Sequence, residues 1–277
     1  MINEQLSPDF TSELLEKRLK QLEETLSNIK QETNFQLNDH VRIHQKGKYV
    51  EYYKLCKERT NYGNYILLKD TKAAVLLAQN DYNKKAIKLL QKEINAIRFY
   101  FIRTKSSALL KLYTKMTPAR QKLITPVTLT NEQYTEQWLK ESWQGRPFAD
   151  NTPEFYTSTG VRVRSKSEVL IADALTRHNI PFRYEYPLQL KRSYDNIPVN
   201  LNPDFMCLNV RTRQEFYWEH FGLMDDPDYA KKAAAKLRLY AENNILSGHN
   251  LIFTMETQTE PLSTRVLEKL IVKFLNS

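Results

Sequence analysis

The sequence predicts an α+β domain over residues 1–116, built of a small sheet and long helices, then a turn-rich linker over 117–150, then an α/β domain over 151–277. Three observations carry this division. Helical apolar spacing dominates near the N-terminus and again over 72–103, a period-two alternation over 40–55 marks a β-hairpin, and from residue 161 the pattern runs helix, three strands, helix, strand, helix. With 277 residues, 41% of them hydrophobic, the chain can bury one large core or two ordinary ones. It has no run of 18 apolar residues, and Met1 to Gln5 lack the basic start and apolar stretch of a signal peptide, so a cytoplasmic protein without a membrane span is expected. Cys56 and Cys207 lie far apart in apolar, strand-like runs, which suits reduced core thiols.

Thr11 and Ser12 are the expected caps of a first helix, along which Leu15, Leu19, Leu22, Leu26 and Ile29 step by four, three, four and three. The seam lasts about two heptads, so it can pack within its own domain or offer a surface to a second copy or a partner protein. In "HVRIHQKGKYVEYYKL" (40–55), Val41 and Ile43 alternate with polar residues and Lys46 and Gly47 supply the turn. A third strand is expected over 64–69, before a long helix over 72–103. His40 and His44 would pair on a metal only if helical; on a strand their spacing separates them by roughly 13 Å.

Charge is unevenly placed. Residues 1–150 hold 25 Lys and Arg against 17 Asp and Glu, an excess of 8, whereas 151–277 hold 16 against 15. The excess concentrates in 42–122, with 19 basic and 5 acidic residues, a density that suits a surface facing a polyanion and equally a lysine-rich solvated face. On the hairpin, Lys46, Lys48, Lys54 and Lys57 interleave with Tyr49, Tyr52 and Tyr53, a mixture able to pair phosphates and stack bases, or to serve as ordinary hairpin surface. Pro118, Pro126, Pro147 and "QGRPFADNTPEF" mark the linker, with a short helix near 132–142 and a boundary near 150.

The C-terminal order is helix 165–178, strands 182–190, 202–208 and 214–220, helix 229–243, strand 250–255 and helix 263–275. Only "NVRTR" separates the second strand from the third. A tight hairpin there pairs residues whose numbers sum to 423, which sets Asp204 opposite Glu219. Opposed residues share a face with Cβ atoms about 5 Å apart, where like charges repel. A proton shared between the carboxylates would relieve this. So would a hard divalent cation, and Glu168 in "RSKSEVLIADAL" offers a third carboxylate in favour of the metal.

The order of these elements, with "SKSE", "NPDF" and "YWEHFG" at these places, resembles the PD-(D/E)XK nuclease superfamily, the restriction-endonuclease-like fold, over roughly 161–256. "WEHFG" followed by "YAKKAAAKLRLYAENNILSGHNLIFT" is similar to the branch found as stand-alone bacterial proteins and in some helicases of the UvrD type. The resemblance implies a Mg²⁺ or Mn²⁺ ion held by Asp204, Glu219 and the backbone carbonyl of His220, with Glu168 completing the site directly or through water. It also implies hydrolysis of phosphodiester bonds in nucleic acid, DNA above all, in defence or in repair.

One element departs from the family pattern. The lysine that normally follows the glutamate by two residues is replaced by Phe221. On the next helix, Ala230, Ala233, Ala234, Leu237 and Ala241 define the expected buried face, and Lys236 flanks it between Tyr229 and Tyr240, where a migrated catalytic lysine would stand. Strand alternation turns the His220 ring away from Glu219, and Gly222 leaves room for a phosphate backbone. The alternative is a protein that binds nucleic acid or joins a complex without catalysis, keeping the fold and lacking the usual lysine. No GxxxxGK[ST] loop occurs, so no nucleotide-driven motor accompanies the domain.

Overall fold

The computed structural model describes residues 2–56, 64–69, 71–104 and 108–276. Helices and small sheets are mixed in an α+β arrangement, and the chain divides into two compact units, Asp9–Ala108 and a larger one made of Leu109–Ser277 with the segment up to Pro8. The division falls at residue 108, ahead of the boundary expected near 150. Residues 117–150 belong to the larger unit because they carry apolar side chains that it buries.

In the smaller unit, α1 (Thr11–Glu32) lies against α2 (Thr71–Arg103), with Leu22 and Leu26 buried on Ile94 and Ile97 and with Leu15 and Leu19 packed beside them. The leucine seam of α1 thus packs on the chain's own α2. Thr11 and Ser12 fall inside the first turn. The cap position is Phe10, and the Asp9 carboxylate accepts the Thr11 N–H at 2.8 Å, satisfying one of the free donors of that turn. Strands β1 (His40–Lys46) and β2 (Tyr49–Cys56) pair antiparallel, closed by Gly47 at φ 62°, and β3 (Asn64–Leu67) adds to β2. Glycine reaches that φ without the steric penalty a side chain would bring.

The larger unit continues with α3 (Ala108–Thr114), α4 (Pro118–Gln121) and α5 (Asn131–Leu139). Thr130 and Gln133 form a capping box at the start of α5, and its Trp138 is buried on Met206 and Leu208. The short ribbon β4 (Phe155–Tyr156) and β5 (Arg162–Val163) precedes α6 (Lys166–Arg177), capped by the Ser165 hydroxyl. After it come β6 (Phe182–Tyr184), β7 (Leu188–Lys191), β8 (Pro198–Leu201), β9 (Phe205–Asn209), β10 (Gln214–Phe221), α7 (Pro227–Glu242), β11 (Leu251–Met255) and α8 (Thr264–Phe274). The main sheet runs β11-β10-β9-β6, with β10 and β11 parallel across the α7 crossover and the other pairs antiparallel.

Pleat alternation assigns the two sheet faces. Phe205, Cys207, Phe216 and Trp218 pack against Ile171, Leu175, Leu267 and Ile271 of α6 and α8. Met206, Leu208 and Tyr217 face the other way, toward Trp138 of α5 and Tyr240 of α7. Glu219 has the parity of Tyr217, so it looks toward α7, while His220 has the parity of Trp218. Both cysteines are free thiols, and burial holds the Cys207 thiol well above its ordinary range.

The single strand expected over 182–190 is broken. It stops at Glu185, which sits at φ 49°, and β7 leaves the main sheet to pair with β8. Glu185 is buried at 1% exposure and accepts from both Arg146 and Arg164, while a Cβ at Gly145 would come within 3.3 Å of its Oε2. Burial raises the Glu185 carboxyl, but the Arg164 and Arg146 hydrogen bonds outweigh it and hold the group below its ordinary range. Its stabilising effect is therefore fully present above the ordinary carboxylate range and lost as pH falls through the lowered value. Glu185→Ala strands two guanidinium groups, one of them half in solvent; thermal or urea unfolding at neutral pH should register a loss of about 2–4 kcal/mol, a little under that of a fully buried pair.

Candidate active site

Five side chains converge at the end of β10 nearest α7. Glu219 and Asp204 come from the sheet, Glu168 from the first turn of α6, and Lys236 and Tyr240 from α7. With Arg146, His220, Phe221, Tyr229, Lys232 and Ala233, the first four line an open cavity of about 310 Å³.

The register of β9 and β10 follows the sum of 423 over five pairs, from Gln214 with Asn209 to Trp218 with Phe205, and ends there. Asp204 lies one residue past the last pair. Its Oδ2 accepts the His220 N–H at 2.6 Å, so it closes the ladder with its side chain in place of its backbone. Burial pushes the Asp204 carboxyl well above the usual carboxylate range, and the neighbouring Glu219 charge adds to this. Part of its surface remains reachable through the cavity, which is the position of a group walled by protein but open to a ligand.

Glu219 is only 1% exposed. Its Oε2 accepts from the Lys236 ammonium at 2.6 Å and its Oε1 from the Tyr240 hydroxyl. Burial raises the Glu219 carboxyl, and Lys236 and Tyr240 act against that rise. Tyr240 is itself held far above its ordinary range, by burial first and by the Glu219 charge second, so it remains a neutral donor. The cation that meets the glutamate at the end of the aromatic strand is thus Lys236.

Its placement follows from the helix. Asp226 caps α7 and Pro227 occupies the first turn, two residues earlier than the periodicity predicts. At about 100° per residue, Tyr229, Ala233, Lys236 and Tyr240 share one stripe. Ala233 and Tyr240 are buried, whereas Ala234 and Ala241, expected in the buried face, are exposed. The buried face is rotated toward the tyrosines because an aromatic ring with a buried hydrogen-bond partner gains far more than a methyl group. That rotation turns Lys236 from the edge of the face into it. Lys232 stands exposed at the cavity rim, and Lys231 pairs with Asp228 at 3.4 Å in solvent.

Glu168 is buried beside them. Its Oε2 accepts from the Tyr184 hydroxyl at 2.7 Å and the Arg164 N–H at 2.9 Å, and its Oε1 from Ser165 at 3.0 Å. The His220 ring looks to the opposite face, where Nδ1 meets Thr254 at 2.9 Å and Nε2 lies 3.2 Å from Glu256, outside hydrogen-bonding alignment. Glu256 also accepts from Ser167 at 2.7 Å and from the Leu262 N–H at 3.0 Å. This network braces the end of β10, and it agrees with a structural role for the ring. Sequence reasoning missed Tyr240, Tyr184, Glu256 and Glu185. Tyr240 sits one helical turn from Lys236; Tyr184, 16 residues from the Glu168 it meets, and the two glutamates gave no local signal.

Carboxylate oxygens are the donors that a hard divalent cation takes. Asp204, Glu219 and Glu168 bring three carboxylates against two ammonium groups, Lys236 bound to Glu219 and Lys232 exposed at the rim, since the Arg146 guanidinium is held by Glu185. Magnesium is commonly held by one or two carboxylates and keeps its waters, and that matches Asp204 and Glu219 better than a cage of side chains. Among the described residues, no group of three or more His, Cys, Asp or Glu side chains lies close enough together to hold a metal ion by itself.

The hairpin residues fall on the smaller unit. Lys46 and Lys48 are exposed near the turn, with Tyr49 exposed beside them. Lys54 pairs with Asp39 at 2.7 Å, and Tyr53 donates to Glu51. Lys57 lies outside the described residues. His40 and His44 meet Asp81 and Glu51 respectively, not each other. If Lys46 and Lys48 neutralise phosphates, the double substitution to alanine lowers the slope of log affinity against log salt by about 0.9 for each phosphate left without its lysine on duplex DNA, and sequence preference stays the same. An unchanged slope assigns them to solvated surface.

No helix among the described residues is long and apolar enough to cross a membrane. No family model, curated protein or solved structure matches the chain.

Proposed function

We propose that the chain is a metal-dependent phosphodiesterase acting on nucleic acid, with DNA as the favoured substrate, and that its larger unit is a restriction-endonuclease-like domain. The observation that carries this reading is the pair of carboxylates Asp204 and Glu219, both raised by burial, at the mouth of one cavity with Lys236 bound to Glu219. The order α6, β6, β9, β10, α7, β11 supports the fold reading. Asp204 and Glu219 would hold Mg²⁺ or Mn²⁺, with the His220 carbonyl as a third ligand. A bound ion there polarises a phosphate and lowers the pKa of an attacking water.

The remaining work falls to the protein. Tyr240 fixes one Glu219 oxygen and the His220 amide fixes one Asp204 oxygen, so Asp204 keeps its other oxygen for the ion, whereas at Glu219 the ion would share Oε2 with the Lys236 ammonium. Lys236 is the cation beside them, placed to offset charge on a phosphate or to orient water. Ser165 and Tyr184 hold Glu168 at the cavity wall, where it can accept from a water.

A second reading is a binding protein that no longer cuts. Phe221 in the usual lysine position favours it, as does the pairing of the Lys236 ammonium with Glu219. Purified protein incubated with plasmid and with single-stranded DNA, in Mg²⁺, in Mn²⁺ and in EDTA, separates the two. Cleavage that EDTA abolishes supports the first reading. Binding without cleavage under every condition supports the second.

A further inference from the structure

Lys236 lines two cavities. Behind the carboxylate cavity lies a groove of about 630 Å³ between α7 and the β7–β8 hairpin, walled by Leu201 and Leu239 and rimmed by Arg192, Tyr194 and Arg238. Its size lies in the range of pockets that hold small organic molecules, about 300–1,000 Å³.

The groove is built into the fold. The hairpin is clasped to the end of α7: Asn243 accepts from the Lys191 N–H at 2.9 Å and donates back to the Lys191 carbonyl at 2.8 Å, while Glu242 accepts from the Ser193 N–H at 3.2 Å. Asn196 turns the loop at φ 55°, and Asp195 accepts the Ile197 N–H at 3.0 Å. At the tip, Tyr194 stands 74% exposed with the Arg192 guanidinium 5.0 Å from its ring centre. Arg192 also donates to the Tyr194 hydroxyl at 2.7 Å, so ring and guanidinium are held together at the tip, and aromatic platforms beside cations are how single strands are gripped.

We propose that this groove receives the unpaired nucleobase next to the scissile phosphate, so that the substrate is a single strand or a frayed end and not an intact duplex. The inference rests on the nucleic-acid reading above. Leu201 and Leu239 supply apolar walls for a base, Tyr194 a stacking face, and Arg192 and Arg238 positive charge for the flanking phosphates. Both arginines pair with carboxylates at the surface, with Asp195 at 2.8 Å and Glu242 at 2.9 Å. Such exposed pairs contribute little and exchange readily for a phosphate. Lys236, on the ridge shared by the two cavities, would then contact the phosphate while the base lies behind it. A base stacked inside a duplex cannot enter such a trough without leaving the helix, and that cost falls away when the strand is already single.

The test compares binding of a fluorescent single strand and of the blunt duplex of the same sequence by anisotropy, in EDTA, using the intact chain. The single strand is expected to bind more tightly. Tyr194→Ala should weaken single-strand binding by roughly ten- to hundredfold, the usual loss of one stacked base, and leave duplex binding almost unchanged. Tyr194→Phe, which keeps the ring, should retain the preference. Equal loss on both substrates, no loss on the single strand, or no binding to either overturns the proposal. Metal-dependent cleavage is scored separately. Wild-type cleavage with a Tyr194-independent strand preference removes the groove and keeps the phosphodiesterase, whereas Tyr194-dependent binding without cleavage does the reverse.

Discussion

Lys236→Met lowers turnover by about two to three orders of magnitude, as removal of one group that stabilises developing charge does in other enzymes. Hydrolysis of a phosphodiester builds negative charge on the phosphoryl oxygens, and of the cations lining the cavity Arg146 is held by Glu185 and Lys232 stands exposed at the rim. The Lys236 ammonium, 2.6 Å from Glu219, is the cation fixed beside the carboxylates. Metal affinity should hold or rise in the variant, because the ion no longer competes with an ammonium for Glu219. DNA affinity should change little beyond the loss of one phosphate contact. Lys231→Met, altering an exposed pair with Asp228, serves as the neutral control, and Lys232→Met at the rim should fall between them. Single-turnover kinetics with metal titrations on the same samples checks the prediction. Near wild-type turnover in Lys236→Met transfers the role to another cation, Lys166 in "SKSE" being the first to examine.

Asp204→Ala abolishes most binding of Mg²⁺ or Mn²⁺ measured by isothermal titration, and Glu219→Ala does the same. Unchanged binding in both variants removes the metal assignment. The companion effect is on stability. Burial raises Asp204 and Glu219 above the ordinary carboxylate range, so folding takes up protons at this site. The folded state is then favoured at low pH and loses stability as pH rises from the ordinary carboxylate values through the raised ones, at about 1.4 kcal/mol per pKa unit. Asp204→Asn removes that loss. Without metal it should unfold at a higher temperature than wild type at neutral pH, with the gap closing toward the ordinary carboxylate pKa. Saturating Mg²⁺ should reverse the order, because binding to the native state of the wild type alone adds stability by mass action.

The carboxylate cluster was legible from local pattern alone. Period-two alternation in "EFYWEHF" and the short loop before it place Asp204 and Glu219 on one face, and the observed pairing keeps that register to Trp218. The helical angle of Lys236 placed it beside the buried face of α7 for a similar reason: an α-helix has one geometry, so spacing converts to direction. Less legible was the direction of burial on α7. Alanine is indifferent to exposure, and the five alanine and leucine positions implied a face rotated away from the one that Tyr229, Ala233 and Tyr240 actually bury. The leucines of α1 announced a seam without naming its partner, which proved to be Ile94 and Ile97 of α2.

The sequence by itself determined the elements whose signals are short-range: the two long helices of the smaller unit, the hairpin at Gly47, the run from α6 to α8, and the carboxylates that face α7. Only the tertiary structure decided the rest. Residues 117–150 look like a linker until Trp138 finds Met206 and Leu208, and until Arg183 takes its place over the Trp138 ring at 4.1 Å. The strand over 182–190 looks continuous until Glu185 turns out of the sheet to meet Arg146 and Arg164, residues 39 and 21 positions away. Each of these outcomes depends on partners distant in the chain. The charge or ring that compensates a buried group is chosen by folding, and no local period encodes it.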